Sequence, residues 1–132
     1  MKKSSRKKVV KKLDKVFSQW IRAKHMNDSG LIECYTCKVK KNFNEIQAGH
    51  FMSRKSYSTR WNEKNVFPQC IGCNMFKCGM QYEFGKRLDK DFGKGTAEKL
   101  SKLSKQTIKI TTPELLEMIK EYEERLTNLE LL

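Results

Sequence analysis

Four of the five cysteines stand in two Cys-x2-Cys pairs, Cys34/Cys37 and Cys70/Cys73, with thirty-two residues looped out between them. Each pair sets two thiolates on one tight turn, and two such knuckles supply the four soft donors of a tetrahedral zinc site. Disulfides are rare in reducing compartments, so zinc is the expected occupant. A structural zinc of this kind contributes on the order of 10 kcal/mol of apparent folding free energy. That contribution matters in a chain of 132 residues that is 38% hydrophobic and 33% charged. The fifth cysteine, Cys78, has no partner in the pattern and is expected to pack as a small hydrophobe.

A zinc staple explains stability but not the contents of the loop it closes. Inside that loop lie Gly49-His50-Phe51, Arg54, Arg60-Trp61 and Asn65-Val66-Phe67, and Asn74 directly follows the second knuckle. Hydrolysing a phosphodiester requires a water made nucleophilic, a counter-charge for the phosphate and help for the departing oxygen. His50, with an ordinary pKa near 6.5, can take the proton from water at neutral pH. An amide oxygen suits hard cations such as Mg2+ or Mn2+, whereas thiolates select zinc. Arg54, Arg60 and Lys77 flank this centre and are expected to bind nucleic-acid phosphates, Arg through its two-pronged fork. Tyr57 and Trp61 either stack on an unpaired base or pack within the loop. His25 is expected to be a solvated cap at the end of the first helix.

Charge points to the same partner. The formal net charge is +13, divided unevenly: residues 1–112 hold 26 Lys and Arg against 9 Asp and Glu, a net +17, and residues 113–132 carry −4. Lysines and arginines displacing counterions from phosphates drive sequence-independent nucleic-acid binding, and DNA and RNA look alike in this respect. The basic residues do not share one amphipathic helix with an apolar opposite face, and no stretch approaches eighteen uncharged apolar residues, which argues against a membrane partner. The lysine-rich start is not followed by an apolar signal core, so the chain is expected to be cytoplasmic.

These groups need elements to position them. Residues 1–8 read as a disordered basic arm. Val9, Leu13, Val16, Phe17, Trp20 and Ile21 recur at three and four residues and predict an amphipathic helix ending before the Asn27-Asp28-Ser29-Gly30 turn. Val39 to Phe43 and Ile46 to Phe51 read as two short strands around Asn42-Phe43-Asn44, followed by a loop from Met52 to Lys64. An interrupted helix is expected between Cys73 and Phe92. Gly93 and Gly95 mark a hinge, and Thr96 reads as the N-cap of a short helix through Ser104. Thr112 as N-cap, with Pro113 and Glu114 after it, starts a last helix. Its seam of Leu115, Ile119, Tyr122, Leu126 and Leu129 fits either packing on the helix of residues 9–21 or a homodimer. The domain plan is a basic arm at 1–8, a zinc-stapled body at 9–93 and a helical region at 94–132.

The order His50, Asn65, Asn74 around a Cys-x-x-Cys knuckle resembles the HNH, or ββα-metal, nucleases. The chain resembles the phage NinG (Rap) recombination proteins more closely still. That likeness runs from Phe17-Ser18-Gln19-Trp20-Ile21-Arg22 through Cys34-Tyr35-Thr36-Cys37, Ala48-Gly49-His50-Phe51 and Arg60-Trp61-Asn62-Glu63-Lys64-Asn65-Val66. It continues through Gln69-Cys70-Ile71-Gly72-Cys73-Asn74 and Gly79 to Tyr82 into the last helix. The resemblance implies that His50 is the general base, that Asn65 holds the imidazole or its strand, and that Asn74 ligates one Mg2+ or Mn2+. It also implies branched DNA, such as Holliday junctions or D-loops, as substrate in a phage-infected bacterial cytoplasm. Most HNH enzymes carry an Asp directly before the catalytic His; here that position is Gly49, with Glu45 and Asp89 as other acids that could contribute.

The expected fold is therefore α+β, mostly helical, with a small zinc-stapled ββα centre and a C-terminal amphipathic helix. The expected function is a metal-dependent HNH-type DNA endonuclease. Two other readings compete with it: a non-catalytic zinc-stapled nucleic-acid-binding protein, and an adaptor working through the acidic last helix.

Overall fold

The computed structural model describes residues 3–131, and its longest elements are the first and the last. Helix α1 spans Lys3–Lys24, and α5 spans Thr112–Leu131. Leu13, Phe17, Trp20 and Ile21 on α1 bury against Leu115, Ile119 and Tyr122 on α5. The Tyr122 ring meets Phe17 edge-on at 5.0 Å and Trp20 at 5.1 Å, geometries that add to the area buried. The apolar seam of the last helix thus packs within its own chain, the first of the two uses its spacing allowed.

Two starts differ from expectation. The segment expected to be a disordered arm is helical from Lys3 onward, residues 1 and 2 lying outside the described residues. Its anchor is Arg6, whose guanidinium donates to the Ile110 carbonyl at 2.6 Å and the Thr112 hydroxyl at 3.0 Å, at the entrance to α5. The cap of α5 is Thr111, one residue earlier than expected. Its hydroxyl accepts the Glu114 N–H at 3.2 Å, and the Glu114 carboxylate accepts the Thr111 N–H at 3.3 Å. This reciprocal capping box satisfies two otherwise orphaned donors.

Between these helices lie two small antiparallel sheets. Strand β1 (Leu31–Glu33) pairs with β2 (Lys40–Asn42), wrapping the first knuckle. Strand β3 (Ile46–His50) pairs with β4 (Val66–Cys70), from Ile46↔Cys70 to His50↔Val66. The strands expected at 39–43 and 46–51 both form, but not with each other: a 3₁₀ turn at Phe43–Glu45 redirects the chain, so each pairs with a strand the pattern did not show. A short helix α2 (Tyr57–Arg60) interrupts the loop expected from Met52 to Lys64.

The second knuckle opens a π-helical turn at Gly72–Phe76, and α3 (Gln81–Phe92) follows. The expected interruption is sharp, because Cys78, Gly79 and Met80 all have positive φ, at 52°, 89° and 50°. After Gly93 and Gly95, both at positive φ, α4 covers Thr96–Ser104. Gly95 occupies the cap position there, and Thr96 is the first helical residue, its hydroxyl donating to the Gly93 carbonyl at 2.7 Å. A second core of Tyr35, Phe51, Phe67, Phe84, Leu88 and Leu100 joins the loop, β4, α3 and α4. The fold is α+β and mostly helical. No helix among the described residues is long and apolar enough to cross a membrane.

Candidate metal centre and adjoining cleft

The two knuckles meet. The sulfurs of Cys34, Cys37, Cys70 and Cys73 all lie within 4.8 Å of one another, and those of Cys37 and Cys70 are 3.6 Å apart. A tetrahedron of thiolates about 2.3 Å from zinc has edges of about 3.8 Å, so the donor set fits such an ion. Local geometry makes each knuckle. Lys38, with φ of 68°, turns the chain so that the Cys34 N–H reaches the Val39 carbonyl at 2.7 Å and the Lys38 N–H reaches the Cys34 carbonyl at 2.9 Å. The Cys73 N–H points at the Cys70 sulfur at 3.4 Å. Burial pushes the Cys37 and Cys73 thiols up. Burial acts in the same sense on Cys34, but the Thr36 hydroxyl and main-chain groups outweigh it and hold that thiol down at about 6. A divalent cation would take all four as thiolates. Ile32 and Ile46 pack with the buried Cys34, Cys70 and Cys73, whereas Cys37 is exposed.

Beside this cluster opens a cleft of about 490 Å³ between α1, β3 and the turn after the second knuckle. His50 and Asn74, distant in sequence, both line it, with Asp14, Arg54 and Cys78. The β3–β4 register sets His50 at the end of its strand, and the π-helical turn brings Asn74 beside β3, where its amide donates to the Gln47 side chain at 2.7 Å.

His50 is held through one ring nitrogen. Its Nε2 lies 2.9 Å from the Arg60 carbonyl; a carbonyl can only accept, so Nε2 carries the proton and Nδ1 keeps its lone pair. Nδ1 makes no hydrogen bond among the described residues and is not sealed from solvent. Burial brings the His50 pKa down to about 4, offset in part by the Arg60 carbonyl. The ring is therefore a neutral base at physiological pH.

Arg60 has a different role from the one its charge suggested. Its guanidinium donates to both Asp14 carboxylate oxygens, at 3.1 and 2.5 Å, and to the Arg54 carbonyl at 2.9 Å. It is an internal strut, not a free phosphate clamp. The same Asp14 carboxylate takes the Trp61 indole N–H at 3.0 Å. Sequence reasoning missed Asp14; its signal is an acid amid Lys11, Lys12 and Lys15 on the basic face of α1. Arg54, with its side chain 63% exposed, stands at the cleft rim 4.0 Å from the Asp14 carboxylate, and Lys77 is exposed on the knuckle turn.

Asn65 is fully buried and bonds only backbone: its oxygen accepts the Met52 N–H at 2.7 Å, and its amide donates to Met52 and Thr59 carbonyls. Its own carbonyl accepts the Phe51 N–H at 2.8 Å. It fixes the end of the His50 strand rather than the imidazole. Tyr57 and Trp61 pack against each other at 5.2 Å, and Trp61 is buried, so packing is their role.

Cys78, expected in a core, is exposed at the cleft. His25, expected to be solvated, is half-buried against Phe67, and burial brings its pKa down to about 4. Glu45 bonds Asn42 at 2.7 Å, and Asp89 accepts the Ala97 N–H at 2.9 Å; neither lines the cleft.

Gly49 has a steric reason. A Cβ there would stand 1.9 Å from the Gln69 amide oxygen. Gln69 is fully buried and crosses behind β3 to donate to the Thr36 hydroxyl at 3.1 Å and the Gly79 carbonyl at 2.8 Å. It fills the space a side chain at 49 would need. A side chain at position 49 would have to displace the buried Gln69 amide, and the oxygen-bearing side chains that line the cleft include the Asp14 carboxylate and the Gln47 and Asn74 amides.

The molecule is thus a mostly helical α+β protein built around a four-cysteine cluster that could hold a metal such as zinc. The family model described as Bacteriophage Lambda NinG protein matches residues 1–131, and the chain belongs to that family. No curated protein and no solved structure matches it.

Proposed function

We propose that this chain is a metal-dependent DNA endonuclease of the HNH type, acting on branched recombination intermediates such as Holliday junctions and D-loops. The observation that carries the reading is His50, fixed through Nε2 by the Arg60 carbonyl and with no hydrogen bond to Nδ1 among the described residues, in the lining of the same cleft as Asn74. The antiparallel β3–β4 pair, with α2 between its strands in the chain and the knuckle turn and α3 after it, supports this reading.

Mg2+ or Mn2+, bound through the Asn74 amide oxygen, would supply positive charge to the scissile phosphate and the departing 3′ oxygen. His50 Nδ1 takes the proton from the attacking water. Arg54 at the rim pairs with a phosphate oxygen. Asp14, Arg60 and Asn65 hold the frame around His50 and touch no reacting atom. The lysine face of α1 adds sequence-independent attraction for the DNA backbone.

The test is cleavage of a labelled four-way junction by purified protein with Mg2+ or Mn2+, set against His50→Ala. The nuclease reading requires His50→Ala to lose cleavage while junction binding and zinc content persist. A second reading, a non-catalytic zinc-stapled nucleic-acid binder, is favoured by the carboxylate-free position 49 behind Gln69. It requires that wild type and variant bind alike and that neither cuts.

A further inference from the structure

The most exposed large apolar side chains among the described residues lie just after Asn74 in the chain. Phe76 is 82% exposed and Tyr82 72%, with Met75 at 60%. A single exposed apolar residue is ordinary, but three within eight positions, Met75 and Phe76 on the knuckle turn and Tyr82 in the first turn of α3, concentrate exposed apolar surface close to Asn74 in the chain. Phe76 is bracketed in sequence by Asn74 and Cys78, both of which line that cleft.

The turn is rigid. The Lys77 N–H closes on the Gly72 carbonyl at 2.9 Å and the Gly79 N–H on the Cys73 carbonyl at 2.7 Å. Gln69 grips the Gly79 carbonyl from below, and three successive left-handed residues, 78 to 80, reverse the chain. Left-handed backbone at residues other than glycine costs on the order of 1 kcal/mol or more each and persists only where the surroundings enforce it. Here the enforced shape keeps Phe76 out in solvent. Phe76 makes no ring contact among the described residues, and Tyr82 meets only the ammonium of Lys86, 5.0 Å from its centroid.

We propose that Phe76, with Tyr82, is a stacking platform for unpaired bases of a DNA strand, on the segment whose Asn74, Cys78 and Gln81 line the cleft. This deepens the nuclease reading and rests on it for the identity of the strand. Bases are the occupant because the apolar faces stand among cations, Lys77 next to Phe76 and Lys86 on Tyr82, in a chain of net charge +13. Aromatic faces interleaved with cations are what a single strand requires, rings for the bases and charge for the phosphates. Continuous duplex hides its base faces, whereas a branch point exposes them. The platform therefore selects branched over regular DNA.

The test uses full-length zinc-loaded protein without added Mg2+ or Mn2+. The probes are a synthetic four-way junction with 2-aminopurine at the crossover and a duplex of equal length. Wild type should prefer the junction and change the 2-aminopurine fluorescence. Phe76→Ala should bind the junction about tenfold more weakly, the scale of one lost base–aromatic stack, bind the duplex within twofold of wild type, and lose the fluorescence change. Phe76→Trp should keep all three properties. Exposure of Phe76 makes folding of both variants straightforward, checked by zinc content.

The proposal is overturned if Phe76→Ala binds both probes as wild type does, the result expected were the patch a seat for a protein. It is overturned equally if both probes weaken alike or if wild type shows no junction preference. Cleavage with Mg2+ on the same junction separates the two ideas. An uncut junction with a Phe76-dependent fluorescence change removes the nuclease and keeps the platform, and cleavage unaffected by Phe76→Ala with unchanged binding does the reverse.

Discussion

Asp14 and His50 are joined through a single residue: Arg60 is gripped by the Asp14 carboxylate at its guanidinium and accepts the His50 Nε2–H at its carbonyl, 2.9 Å away. An acid on the first helix thus determines how an imidazole on a distant strand is held. Removing it tests the link. Asp14→Ala leaves Arg60 and Trp61 without their partner and should cost about 1–3 kcal/mol, less than a fully buried pair because both groups retain some exposure. The variant gains a positive charge, so electrostatics alone would tighten DNA binding. We expect cleavage to fall at least tenfold while junction affinity holds or rises, measured by single-turnover assays beside titrations.

The buried histidines set a pH window. His25 and His50 both titrate near 4 in the folded chain and near 6.5 when unfolded. Between those values the unfolded chain binds more protons, so full stability is present above pH 6.5 and is lost progressively as the pH falls towards 4. The two shifts are alike, and after discounting for partial exposure each is worth on the order of 2 kcal/mol. Urea midpoints at pH 7.5 and pH 5 should differ, and His50→Gln should shrink the difference. Cleavage limited by neutral His50 should stay flat from pH 7.5 to 5.5 instead of halving near 6.5.

The cysteine cluster ties β1, β2 and β4 to the knuckle turn. Purified protein should contain one zinc, by elemental analysis. Cys73→Ser should lower zinc content and stability together, because the metal's binding free energy is folding free energy. Loss of the metal with unchanged circular dichroism and melting temperature would contradict a structural role.

Gly49 and Gln69 compete for one space. Gly49→Ala should destabilise the chain by about 2 kcal/mol or more, since the blocking atoms belong to a buried, doubly bonded amide. In a Gln69→Ala background the same substitution should cost much less, a coupling that a double-mutant cycle on melting data reads directly.

Much of the framework was legible because local signals carried it. Cysteine spacing placed the cluster, and the three-and-four spacing of Leu13, Phe17 and Ile21 placed α1. Other features depended on partners distant in the chain. Residues 3–8 look solvated by composition, yet Arg6 finds Ile110 and Thr112 more than a hundred residues away. Strand β4 is buried at every residue and contains Pro68, so it shows neither alternation nor ordinary strand composition. Arg60 and Lys77 look alike as basic residues; only the fold pairs the first with Asp14. Cys78 and Phe76 read as core by type, and the left-handed turn turns them outward.

The pairing of α1 with α5 has a consequence for biosynthesis. Ile21 leaves the ribosome roughly 90 residues ahead of Leu115, and at 5–20 residues per second its apolar side waits on the order of 5–20 seconds for its cover. During that interval the lysines on the other side of the same helix keep the nascent segment soluble, so they serve the unfinished chain as well as the completed one.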